Sequence, residues 1–139
     1  MNNAGFWKRF VAVMIDAIIL GLLTFLLMMG VGMVIGGMMH DPELMFKFSQ
    51  FGMLMDVILF WLYFALHESS PLQATLGKRL LGIYVTDGDG ERLTFVRATI
   101  RYFSKYLSII FMIGFIMAAF TKNKQALHDL IADTLVVNR

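Results

Sequence analysis

Residues 17 to 39 run for 23 positions without a charge. About 20 apolar residues carry an α-helix across a bilayer core. A signal peptide has a shorter apolar region, roughly 7–15 residues, followed by a small-residue cleavage site. The stretch therefore predicts a retained transmembrane helix over about residues 6–39. Lys8 and Arg9 stand just before its apolar run, and Asp16 interrupts it near the start. The rest of the composition agrees. Hydrophobic residues make up 58% of the chain and charged residues 16%, where soluble domains carry about 25% charged. That excludes a disordered tail and argues against a soluble enzyme domain. At 139 residues the chain holds one domain, 1–139.

His40-Asp41-Pro42-Glu43 closes the first apolar run and opens the next. Asp caps a helix, Pro suits the first turn, and Glu complements the positive helix end. A second helix is predicted over about residues 42–66, with Asp56 as its deep charge. The ten apolar residues after Asp56 are too few to span alone, so a crossing puts Asp56 in the bilayer or at its edge. Ser69-Ser70-Pro71 ends this helix. Ser70-Pro71-Leu72-Gln73 has the form of a capping box and predicts a short helix over 71–80. Residues 83–86 are β-rich, 87–90 are turn-rich, and 92–95 are suited to pair back, which predicts a small hairpin outside the bilayer. A third helix is expected over about 95–120, either crossing fully or bent near Gly114 and re-entrant. Residues 67–94 form the loop and 121–139 the tail, whose Thr134-Leu135-Val136-Val137 has strand character. The expected fold class is an all-α membrane protein: three hydrophobic helices with a small cytoplasmic helix and β-hairpin loop.

The charges give an orientation. Lys8 and Arg9 precede the first helix, and the segment between the second and third helices carries Lys78, Arg79, Arg92, Arg97, Arg101 and Lys105. The connection between the first two helices has two acids and Lys47. The positive-inside rule places the N-terminus and the basic loop in the cytoplasm. A full third crossing would put the tail outside; a re-entrant segment would return it to the loop. Arg97, Arg101 and Lys105 recur every four residues and share a helix face, where contact with lipid phosphate is expected. No basic helix with interleaved aromatics lies outside the membrane segments, so nucleic acid is not an expected partner.

A charge at the centre of a membrane helix costs roughly 2.5–3.5 kcal/mol. Asp16 and Asp56 therefore require partners, water or protonation. Arg9 and Asp16 share a face but lie about 10.5 Å apart along the axis, too far for a direct bond unless a neighbouring helix or water closes the gap. Because the first two helices run antiparallel, Asp16 and Asp56 are staggered by on the order of 10 Å. Staggered acids around a polar interior are stations for a cation or a proton, since burial disfavours an ionised carboxylate and a bound cation favours it. The plainer alternative is that each Asp bonds a neighbouring group and fixes packing. Gly32-x-x-x-Gly36 is a small-residue packing motif.

Catalytic patterns are missing from the sequence. It has no Cys, and His40, His67 and His128 lack metal-ligand spacing. Phosphate-loop, G-x-S-x-G and H-E-x-x-H motifs are absent. His128-Asp129 with Asp133 is the polar cluster that remains, its two acids sharing a face if the segment is helical. Without a nucleophile or a metal set beside it, the expectation is no enzyme, no cofactor and no metal beyond a transported monovalent cation.

Three stretches carry a resemblance. They are Phe6-Trp7-Lys8-Arg9-Phe10 through Ile15-Asp16, then Thr75-Leu76-Gly77-Lys78-Arg79-Leu80-Leu81-Gly82-Ile83-Tyr84-Val85, then Leu127-His128-Asp129-Leu130-Ile131-Ala132-Asp133-Thr134. In this order and spacing they resemble the RDD family of small bacterial integral membrane proteins, named for one Arg and two Asp. The resemblance covers nearly the whole chain. It implies that Arg9 is the family's Arg, Asp16 its first Asp, and Asp129, not Asp56, its second. Asp133 stands where the family pattern has Gly, which alters the local turn and adds an oxygen. The resemblance further implies a multi-pass protein of the bacterial inner membrane and a transport role, with some members linked to Na⁺/H⁺-type antiport.

The expected function is thus a small antiporter exchanging Na⁺, Li⁺ or K⁺ for H⁺. Asp16 and Asp129 would alternate between proton and cation, Arg9 would balance their charge, and Asp56, Asp133 and His128 would stand nearby. Three helices give too little wall for a path, so a homo-oligomer in the lipid bilayer is expected. The alternative is a non-transporting accessory or scaffold protein whose Arg/Asp set is a structural network.

Overall fold

A helix that is apolar on every side cannot bury itself within a small chain, and its surplus surface needs lipid. The computed structural model describes residues 2–36, 41–110 and 125–139, with side chains except at 108–110. Its first element, α1 (Phe6–Gly36), is buried at Ala12, Asp16, Leu20 and Thr24, a stripe spaced by four. Its remaining faces expose Ile18, Leu22, Phe25, Leu26 and Val34. The second helix, α2 (Pro42–Ser69), buries Gly52, Phe64, Ala65 and Glu68. Both are long and apolar enough to cross a bilayer. Residues 37–40, the expected end of the first helix, lie outside the described residues.

The start of α2 follows the expected chemistry: the Asp41 carboxylate accepts from the Glu43 N–H at 3.0 Å, with Pro42 in the first turn. The helix continues one turn past residue 66. Ser69 Oγ donates to the Ala65 carbonyl at 2.7 Å, and Ser70 Oγ donates to that of His67, also at 2.7 Å. The helix predicted over 71–80 shrinks to α3 (Leu76–Leu80). Gln73 has φ 51°, which breaks any helix through it. Its side-chain amide donates to the Val85 carbonyl at 3.0 Å, and its own carbonyl accepts from the Val85 N–H at 2.8 Å. Those bonds replace the capping box.

The hairpin expectation is corrected. Strand β1 (Ile83–Asp87) does not pair with residues 92–95, because the chain turns at Asp87 and enters α4 (Phe95–Ile110), where Thr94 Oγ1 accepts from the Arg97 N–H at 3.3 Å. The partner comes from the tail. After the short helix α5 (Leu127–Ile131), strand β2 (Thr134–Asn138) pairs antiparallel with β1, Val85 opposite Val136. The N-terminal segment adds a bridge, Asn3 to Val137, with the Ala4 N–H donating to the Val136 carbonyl at 2.8 Å. Buried Ala4, Ala12, Ala65, Ile83, Val85, Leu93, Ala98 and Val136 form the core beneath this sheet.

The tail therefore lies at the same end as the loop. Residues 111–124, on which a third crossing or a return depends, lie outside the described residues. Helix α4 packs along α2, where Trp61 Nε1 donates to Thr99 Oγ1 at 3.2 Å and the Phe64 and Tyr102 rings lie 5.8 Å apart. Among the described residues, close packing at Gly32 and Gly36 is not made, since no atom of theirs would come within 4 Å of a Cβ at either position.

Candidate charged site under the cap

Two carboxylates organise the junction between the two long apolar helices and the cap of α3, α5 and the sheet. Asp16, fully buried on α1, lies against the start of α3. Its Oδ1 accepts from Tyr63 Oη and from the Gly77 N–H, each at 2.8 Å, and its Oδ2 accepts from Thr75 Oγ1 at 2.5 Å. Glycine at 77 permits this approach: a Cβ there would collide with the Ala12 carbonyl and press on the Asp16 carboxylate. Asp16 thus fastens a loop and a helix start with neutral donors. As the 10.5 Å separation anticipated, it makes no bond to Arg9.

Arg9 reaches across the cap to Asp129 instead, Nη1 to Oδ2 at 2.5 Å. Asp129, the third residue of α5, is fully buried. Its Oδ2 also accepts from the Ala126 N–H at 3.1 Å, and its Oδ1 accepts from Arg101 Nε at 3.0 Å and Nη2 at 2.7 Å. The third Arg101 donor, Nη1, meets Glu68 Oε2 at 2.5 Å, and Lys78 Nζ meets Glu68 Oε1 at 2.5 Å. One chain of charge-assisted bonds thus joins α1, α5, α4, α2 and α3. Charge-assisted bonds are the strong ones, and a forked guanidinium fixes geometry as well. Burial alone would push the Asp129 carboxyl up, but Arg101, His128 and Arg9 outweigh it and hold the group well below the usual carboxylate range. Burial pushes His128 down to about 3, so its ring beside Asp129 is neutral.

The other sequence candidates fall elsewhere. Asp56 does not join Asp129. Tyr63 meets Asp16, so Asp56, seven residues earlier on α2, lies about 10.5 Å further along the axis. Its Oδ1 is buried with no hydrogen-bond partner among the described residues. Asp133 does not share a helix face with Asp129, because α5 ends at Ile131 and Asp133 takes φ 50° on an exposed turn, 3.7 Å from Arg97. That positive φ is the conformation glycine adopts at no cost. The basic face divides as well. Arg97 bonds Asp87 at 3.3 Å, buried Arg101 is committed to Glu68 and Asp129, and the Lys105 ammonium lies 4.1 Å from the centroid of the Phe64 ring. Sequence reasoning missed Glu68, Lys78, Tyr63 and Thr75. Lys78 sits inside one of the three matching stretches, which was the available signal.

The family model described as the RDD family matches residues 3–133. The chain belongs to the RDD family. Among its relatives are the uncharacterized protein YxaI of Bacillus subtilis (strain 168), 38% identical with 96% of each chain covered, and the uncharacterized membrane protein YteJ of the same organism, 33% identical with 97% of this chain and 80% of the relative covered. No solved structure matches. Of the positions read as the RDD set, Arg9 and Asp129 meet directly, while Asp16 anchors α3.

Proposed function

We propose that this RDD protein is a membrane-embedded scaffold whose charged network clasps an extramembrane cap onto its helices. The observation that carries this reading is the saturation of Asp129: two guanidinium groups and a backbone N–H occupy its oxygens. A carboxylate so held does not exchange protons near neutral pH, and a cation would have to displace two arginines. The basic loop, Lys8 and Arg9 support a cap on the cytoplasmic side of a bacterial inner membrane, by the positive-inside rule. The test compares folded yield with ion exchange in vesicles. Asp129→Asn is expected to lower folded protein, and wild-type vesicles loaded with a pH-sensitive dye are expected to stay silent when Na⁺, Li⁺ or K⁺ is added. A dye response that Asp129→Asn abolishes without loss of folded protein overturns the reading.

A second reading, monovalent cation/proton exchange by a homo-oligomer, is favoured by one observation: Asp56 presents a buried oxygen without a partner among the described residues, about two helical turns from the oxygen-rich surroundings of Asp16. It predicts a dye response in wild-type vesicles that Asp56→Asn removes.

A further inference from the structure

The charged network faces a cavity of about 200 Å³ bounded by α1, α2, α4 and the cap, room for roughly seven waters at about 30 Å³ each. Its walls are apolar, with Phe10, Val13, Phe60 and Phe64 among them, while Arg9, Lys78, Arg101 and Lys105 contribute cationic groups. Those four cations face two carboxylates, Glu68 and Asp129, within the network. With Lys78 protonated, counting the adjacent Asp16 still leaves the cluster formally positive by one. Among the described residues, Lys105 is the cation of the network with the longest ion pair: Glu68 is 3.8 Å away, and the Phe64 ring centroid lies 4.1 Å from its ammonium. Burial pushes Lys78 down to about 7, with Arg101 and Lys105 adding to the effect despite Glu68. Surplus positive charge in a low-dielectric space is relieved by an anion.

The cavity's surroundings identify the kind of anion. Lining residues Phe10 and Tyr106 are also exposed, on the apolar outer surfaces of α1 and α4. Arg9 lies in the first turn of α1, at the level of a membrane helix where lipid headgroups sit. A small free anion would use the cations but not the apolar walls; an amphiphile uses both.

We propose that this cavity receives the phosphate headgroup of an anionic membrane lipid, with Lys105 as its principal cation and the acyl chains leaving past Phe10 and Tyr106. The site differs from a basic surface that anchors to lipid phosphate, because its cations are buried. It stands whether the chain is a scaffold or a transporter.

The test uses the full chain in nanodiscs of phosphatidylcholine alone or mixed with phosphatidylglycerol. Thermal unfolding is followed, and retained lipid is counted by native mass spectrometry. The expected result is a higher Tm in the anionic discs and one phosphatidylglycerol kept per chain. Lys105→Gln and the cavity-filling Val13→Trp are each expected to remove both effects, the rise in Tm being read against the same variant in phosphatidylcholine. Arg92→Gln, on the exposed loop, is expected to change neither. Equal Tm and no retained lipid in the wild type overturns the proposal, even if a cavity variant fails to fold. Retention weakened as much by Arg92→Gln as by Lys105→Gln overturns it in favour of diffuse surface charge. A Tm rise reproduced by inorganic phosphate in phosphatidylcholine discs overturns the lipid as the source of the anion.

Discussion

At Asp129 the balance of burial against pairing decides what a single side chain does. Removing its charge leaves Arg9 and Arg101 facing each other in a dry interior, and breaking a buried pair costs about 3–5 kcal/mol. Asp129→Asn is expected to lower stability by that order in thermal unfolding of the nanodisc-embedded protein. Gly77→Ala is expected to unfold the junction between α1 and α3, because the added methyl meets the Ala12 carbonyl; the readout is loss of folded protein after purification. His128 sets the acid limit. The unfolded chain takes up a proton below about 6.5, whereas the folded ring resists until about 3. The unfolded state therefore binds more protons across that window, and stability falls as pH drops from about 6.5, by on the order of a few kcal/mol. Asp129, whose pKa is depressed, adds its own loss only below about 4. His128→Gln is expected to move the onset of acid destabilisation from near 6.5 to near 4. Arg9, Asp16 and Asp129 were legible because charges are costly in an apolar helix and because the family pattern marks them. Glu68 and Lys78 were not, since a Glu at a helix end and a Lys in a short extramembrane helix look solvated until distant segments close over them.

The elements divide by the range of the forces that specify them. The two long helices follow from local composition, and the α2 start from local capping, so both were read from the sequence. The strand pairing was not. Residues 83–86 and 134–137 were each recognised as strand-like, but β-propensity does not name a partner. The nearer candidate, 92–95, lost to α4, while Val136 supplied a side chain that is 1% exposed beside Val85. Val136→Ala is expected to cost about 2–3 kcal/mol. Because β2 holds the tail, that variant is also expected to make the bond regions around β2 sensitive to limited proteolysis under conditions where the wild type resists.

Across the whole molecule, the cap is a knot of sequence-distant pieces. Residues 2–4, the loop strand and the tail strand lie side by side, and Arg9 meets a residue 120 positions away. With no native cysteine, single substitutions report sidedness cleanly: Asn138→Cys is expected to label from the same side as the loop, and Ser49→Cys from the opposite side. In the scaffold reading, Arg9 and Asp129 act as one structural unit that ties the two ends of the chain together. A double-mutant cycle of Arg9→Met and Asp129→Asn, read by unfolding in nanodiscs, tests it most directly. The two losses are expected to be strongly non-additive, with a coupling of about 1–3 kcal/mol for residues in direct contact. Losses that simply add would contradict it.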